Sequence, residues 1–160
     1  MKLNLSKTTF AMGAFALLGG FAAQANAVTM RPVLQDSDVE KIVAAAKQSM
    51  QENHTSGCIV VADADGELLF LQRQSEALPS CAGAAIAKVK TAATFGTPTA
   101  TYYKLLGQHQ EIMLAVPGLA PMPGGQPLFH DGKIVGAVAV STPDGDLDIK
   151  VVAAAAAALK

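Results

Sequence analysis

The pattern of apolar and polar positions changes period several times along the chain, and these changes predict its secondary structure. Between residues 36 and 53, apolar residues recur every three or four positions, which is typical of a helix with one buried face. Continuous apolar runs flank the dipeptides Asp65-Gly66 and Asp131-Gly132, as expected for two β-hairpins. The predicted elements are helix 36–53, strands 58–62 and 68–71, helices 80–95 and 100–115, strands 127–130 and 133–141, and helix 146–159.

This order of elements predicts an α+β fold, in which helices cover a sheet of antiparallel strands. Four strands follow from the pattern, and residues 115–119 are the candidate for a fifth. Ser37 and Glu40 have the spacing of a capping box at the start of the first helix. Gly136 interrupts the last strand, and a glycine there indicates that something approaches the backbone closely.

Residues 1–27 predict a secretory signal peptide. Lys2 and Lys7 precede an apolar run at 10–23, and Ala25-Asn26-Ala27 provides the small residues of a cleavage site. The alternative is a membrane anchor, but the run is shorter than the roughly 20 apolar residues that a spanning helix needs. We therefore expect cleavage after Ala27 and a single mature domain, residues 28–160, in the periplasm or outside the cell.

The formal charge of the mature chain bears on its possible partners. Without Lys2 and Lys7 the basic residues fall from 12 to 10 against 13 acidic ones, a formal net charge of −3, so no basic field is left for nucleic acid.

Cys58 and Cys81 could form a disulfide, remain as two buried thiols or act as a redox pair. Export favours the disulfide.

Two stretches carry the most specific motifs, KVKTAATFGTPT at 88–99 and PGLAPMPGGQPLFHDGKIVGAVAVS at 117–141. They resemble the GlcG/HbpS family, small domains that include secreted haem-binding proteins, and the resemblance extends from Ser37 to Leu159. It implies a profilin-like fold, a five-stranded antiparallel sheet flanked by helices, and assembly as a homo-oligomer. The chain departs from the family pattern around residues 139–145. After this departure, Asp148 can stand for the acidic residue that opens the family's last helix.

The motifs and the third predicted helix supply the candidate ligand residues. Haem binding needs apolar surface, cations or amides for the two propionates, and optionally an axial donor. Lys88 is the candidate for a propionate, and Gly124-Gly125 could form an anion-binding nest or simply a tight turn. The full candidate set is Lys88, Thr91, Phe95, Thr99, His109, Met113, Gly124 and Gly125.

Each candidate axial donor has an ordinary structural alternative. His109 is predicted in mid-helix, where it is either a ligand or a surface or hydrogen-bonded histidine. His130, beside the second hairpin turn, is either a ligand or an exposed turn residue, and the helix dipole already explains His54. Thr99 could coordinate the metal or cap a helix, and Met113 could belong to the ordinary core.

Three functions remain after these considerations. The first is an exported, non-covalent haem- or tetrapyrrole-binding protein for storage, buffering or sensing. The second is a protein that binds a small organic acid, or an accessory subunit that joins a periplasmic partner in an oxidation system. The third is a haem-degrading enzyme. We prefer binding to catalysis because the sequence shows no paired acid and base, activated nucleophile or metal cluster.

Overall fold

Four antiparallel strands form one sheet in the computed structural model, which describes residues 30–159. The strands β1 (Cys58–Asp63), β2 (Leu68–Arg73), β3 (Gly125–His130) and β4 (Lys133–Ser141) lie in the order β2-β1-β4-β3. The predicted fifth strand is not formed at 115–119, because Glu111–Ala115 is a 3-10 helix and a turn follows it. The predicted signal peptide lies outside the described residues.

The two hairpins close with different turns. Asp131 and Gly132 both have positive φ, 49° and 72°, and His130 pairs with Lys133 across this two-residue turn. In the first hairpin, Asp63 Oδ1 accepts the backbone N–H groups of Asp65 and Glu67, each at 2.9 Å. That carboxylate therefore shapes the turn.

Helices cover both faces of the sheet. The helices are α1 (Asp36–Glu52), α2 (Cys81–Phe95), α3 (Thr99–Gly107) and α4 (Gly145–Ala157). Successive residues of β1 point to opposite faces, so Ile59 packs with α1 and α4 whereas Val60 packs with α2. Burial on both faces explains why β1 is a continuous apolar run. The described residues contain no helix that is long and apolar enough to span a membrane.

Two helix boundaries differ from the predictions. Helix α3 ends at Gly107, and His109 has a φ of 60°, so His109 lies beyond the helix and not in its middle. Glycine is a poor helix former, and a left-handed residue cannot continue a right-handed helix. At the start of α1, the backbone N–H of Gln35 donates to Asp38 Oδ2 at 3.1 Å, which replaces the predicted Ser37–Glu40 capping box.

Cys58 and Cys81 form a disulfide, with their Cα atoms 5.4 Å apart. The bond joins the first residue of β1 to the first residue of α2, and both residues are buried. Of the three alternatives that the sequence left open, the structure has the disulfide.

Candidate functional site

A buried ion pair lies between α2 and α4. Lys88 Nζ donates to Asp148 Oδ2 at 2.7 Å and to the carbonyl oxygen of Val140 at 3.0 Å. The two side chains are only 4% and 3% exposed. A charge buried this deeply is tolerated only when it is paired and hydrogen-bonded, so each group requires the other.

Burial and hydrogen bonding shift the pKa of Asp148 in opposite directions. Its Oδ1 accepts the backbone N–H of Thr142 at 2.7 Å, so both carboxylate oxygens are engaged. Burial raises the pKa of Asp148 above its ordinary value of 3.8, while Lys88 and Thr142 act in the opposite direction. Burial therefore disfavours the charged form of this carboxylate, and its two partners favour it.

The glycine pair allows the loop before β3 to approach these residues. A Cβ on Gly124, whose φ is +104°, would lie 2.6 Å from Asp148 Cβ, and one on Gly125 would lie 2.7 Å from the Lys88 carbonyl oxygen. The N–H of Gly125 donates to Thr99 Oγ1 at 2.8 Å. This N–H already has a partner, so an anion would have to displace the threonine.

The two threonines of the first motif also hold loops. Pro98, not Thr99, occupies the N-cap position of α3, so the Thr99 hydroxyl does not cap the helix. Thr91 is buried, and its hydroxyl accepts the N–H of Ala120 at 2.9 Å. The two threonine hydroxyls therefore attach the segment 118–125 to α2 and to the start of α3.

The remaining predicted residues lie elsewhere. Phe95 is exposed and meets Tyr102 edge to face, with ring centroids 6.0 Å apart. The His109 side chain is 93% exposed, and Met113 is half-buried in the 3-10 helix. The structure thus brings Lys88, Thr91, Thr99 and the glycine pair together but leaves the aromatic, histidine and methionine candidates outside. Their ligand roles stay predictions.

Among residues 30–159, the largest of four cavities lies beside the β3–β4 hairpin. It has a volume of about 360 Å³. Its lining combines a guanidinium, an imidazole, a carboxylate, an amide and apolar side chains; the residues are Arg31, Pro32, Val33, Leu34, Gln35, Asp38, His130, Val135 and Leu159. None of the four cavities is lined by any of the eight predicted ligand residues.

Sequence reasoning missed most of this cavity. Residues 31–35 precede α1 and have no periodic pattern, so nothing in the sequence places them against β4. Gly136 was the available signal, because a Cβ at that position would lie 2.6 Å from Leu34 Cδ1. The close approach that Gly136 predicted is therefore made in part by Leu34.

Comparison with known proteins places the chain in a family. Residues 34–157 match the family described as haem degrading protein HbpS-like. Protein GlcG from Escherichia coli strain K12 is 35% identical over 109 residues, which are 68% of this chain and 81% of GlcG.

Solved structures agree with this result. A crystal structure of HbpS is 28% identical with a TM-score of 0.76, covering 87% of this chain and 99% of HbpS. A double mutant of HbpS from Streptomyces reticuli is also 28% identical, with a TM-score of 0.75 and coverage of 94% and 99%. The PduOC:heme complex, at 22% identity and a TM-score of 0.73 over 79% of this chain and 95% of PduOC, shares the fold. The predicted profilin-like α+β architecture is confirmed, and the chain belongs to the GlcG/HbpS family.

Proposed function

We propose that this protein binds haem non-covalently outside the cytoplasm and holds it for storage, buffering or sensing. The observation that carries the proposal is the match of residues 34–157 to a family described by haem chemistry. A more distant protein of the same fold, PduOC, has been crystallised in a complex with heme.

The cysteine chemistry supports non-covalent attachment and export. Covalent attachment of haem uses the thiols of a Cys-x-x-Cys-His motif, which the sequence lacks. Cys58 and Cys81 are joined to each other, so neither thiol is available for that bond. Such a disulfide persists in an oxidising compartment, in agreement with the signal peptide predicted at residues 1–27.

Binding is favoured over degradation by the state of the buried acid and base. Lys88 and Asp148 form the most deeply buried ion pair of the described residues, and their charged atoms are engaged within the protein. A general acid or base must reach the reacting atoms of its substrate. This pair would have to separate before either group could do so.

The test is a titration of the mature protein, purified after export, with haemin. A saturable Soret shift near one haemin per chain, with a stable spectrum after addition of ascorbate and oxygen, supports binding without turnover. Loss of the Soret band under those conditions, with new bilin absorption, supports the haem-degrading alternative. Absence of any shift refutes the proposal, and calorimetry with small organic acids then tests the second alternative.

A further inference from the structure

We propose that the haem site is the 360 Å³ cavity beside the β3–β4 hairpin, with His130 as axial ligand and Arg31 as a partner of a propionate. This inference rests on the proposed function and states where on the protein the haem binds. The cavity is bounded by residues 31–35, the N-terminus of α1, the hairpin and Leu159.

Size and charge distinguish this cavity from the other three. Pockets for small molecules and cofactors typically have volumes of roughly 300–1,000 Å³, and 360 Å³ falls in that range. Two cavities have only about 100 Å³ each. The fourth, of about 240 Å³, is lined by the carboxylates of Asp144 and Asp146 and by no cation or histidine, so nothing in its lining would attract the carboxylates of haem.

The hairpin fixes the backbone position of His130. It is the last residue of β3 and pairs with Lys133 across the turn formed by Asp131 and Gly132. Its Nε2 lies 3.6 Å from Asp131 Oδ2, which is beyond hydrogen-bonding distance. The side chain is 64% exposed, so the imidazole is accessible to a ligand that enters the cavity.

The other two histidines lack these properties. The sequence contains three histidines, and His54 and His109 line none of the four cavities. His109 extends into solvent beyond α3. Of the three histidines, His130 is therefore the one that lines a cavity among residues 30–159 and can serve as the ligand there.

Arg31 provides a cation with only a weak competing contact. Its guanidinium lies 3.4 Å from Asp65 Oδ1, and the two side chains are 62% and 71% exposed. Exposed pairs of this kind contribute little to stability, whereas a guanidinium can bind a carboxylate through two parallel hydrogen bonds. Asp38, which also lines the cavity, lies 3.5 Å from Lys41 and accepts the backbone N–H of Gln35 at 3.1 Å.

Apolar side chains in the cavity wall provide contact surface for the flat haem macrocycle. Leu34 and Val135 form the interior side of the cavity, and Val33 is exposed at its rim. Covering such apolar surface is favourable in proportion to its area. The donor set thus contains what haem requires, namely an imidazole, a cation for a carboxylate and apolar contact area.

The experiment compares His130→Ala with His109→Ala, its exposed control, in the full mature protein. We expect His130→Ala to change the spin-state bands of the haemin complex and to weaken haemin binding at least tenfold, and free imidazole to restore the spectrum. Metal-free protoporphyrin IX has no axial bond, so its affinity should not change in His130→Ala. His109→Ala should leave all these quantities unchanged.

Arg31→Gln tests the propionate contact, with Arg73→Gln as the control. Arg31→Gln should weaken binding of haemin and of metal-free protoporphyrin about three- to tenfold without altering the spin-state bands. If wild-type protein binds haemin but His130→Ala retains its spectrum and affinity, the location is wrong and the proposed function stands. If His109→Ala has the effect instead, the site lies beyond α3. If wild-type protein binds no haemin, both proposals are wrong.

Discussion

Replacing Lys88 with methionine should destabilise the protein strongly, because it leaves Asp148 buried with half of its partners. Methionine has nearly the length of lysine, so the substitution removes the charge without opening a large cavity. Asp148 keeps the N–H of Thr142, but its Oδ2 loses a contact of 2.7 Å in a site that is 3% exposed. Removing one partner of a buried ion pair costs about 3–5 kcal/mol, and we expect a loss of that size in the free energy of unfolding.

The double variant Lys88→Met/Asp148→Leu should recover most of this loss. Burial raises the pKa of Asp148 while Lys88 lowers it, so dehydration opposes the charged form of this carboxylate. When both charges are replaced by apolar groups, that penalty disappears, so we expect the double variant to unfold within about 2 kcal/mol of wild type.

The raised pKa also fixes the sign of a pH effect. The folded protein retains the Asp148 proton at pH values at which the unfolded chain, with a pKa near 3.8, has lost it. This contribution to stability is complete below 3.8 and is lost as the pH rises through the folded pKa. The unfolding free energy of wild type minus that of the double variant should therefore decrease as the pH rises from 3.8 through the folded pKa.

Urea denaturation followed by circular dichroism measures these free energies, and an unchanged m-value shows that the comparison is valid. A cost below about 1 kcal/mol for Lys88→Met, or a double variant as unstable as the sum of its two single variants, would refute the reasoning. Haemin titration of the folded variant separates the roles of Lys88. If Lys88 held a propionate, binding would weaken by about 1–3 kcal/mol, whereas the cavity beside the hairpin predicts unchanged affinity.

Three further substitutions test the loops, the disulfide and a helix by the same denaturation assay. Gly124→Ala should cost about 1–3 kcal/mol more than Gly118→Ala, since both have positive φ but only Gly124 is crowded; equal costs would contradict this explanation. Cys58→Ala/Cys81→Ala should lose about 3 kcal/mol, because the disulfide spans 23 positions, and the stability of this variant should not respond to dithiothreitol. Gly83→Ala should gain about 0.5–1 kcal/mol, as Gly83 lies within α2 with open space around it; a loss would indicate a contact that the structure lacks.

Local signals in the sequence were sufficient for most of the fold. The Asp-Gly dipeptides located both hairpins, and β4 has the predicted ends, Lys133 and Ser141. The error in α3 arose because the apolar spacing at 100–115 continues through the end of the helix. Gly107 was the local warning, but the left-handed turn at His109 depends on the loop that follows.

The candidate site was less predictable because its contacts are distant in sequence. The motif identified Lys88, but its partner Asp148 lies 60 positions away, and no local pattern shows that the two are buried together. The cavity beside the hairpin combines residues from separate segments that include Arg31, His130 and Leu159. Such a site exists only after the chain has folded, so spacing in the sequence could not define it.

The ion pair between α2 and α4 also has a consequence for the order of folding. Until α4 has been synthesised and docked, the ammonium of Lys88 has no carboxylate partner, and burying it alone would be costly. A chain that ends before Gly145 should therefore keep α2 loosely attached to the sheet and its amide protons open to exchange. We therefore expect α2 to reach its final packing only after α4 has docked.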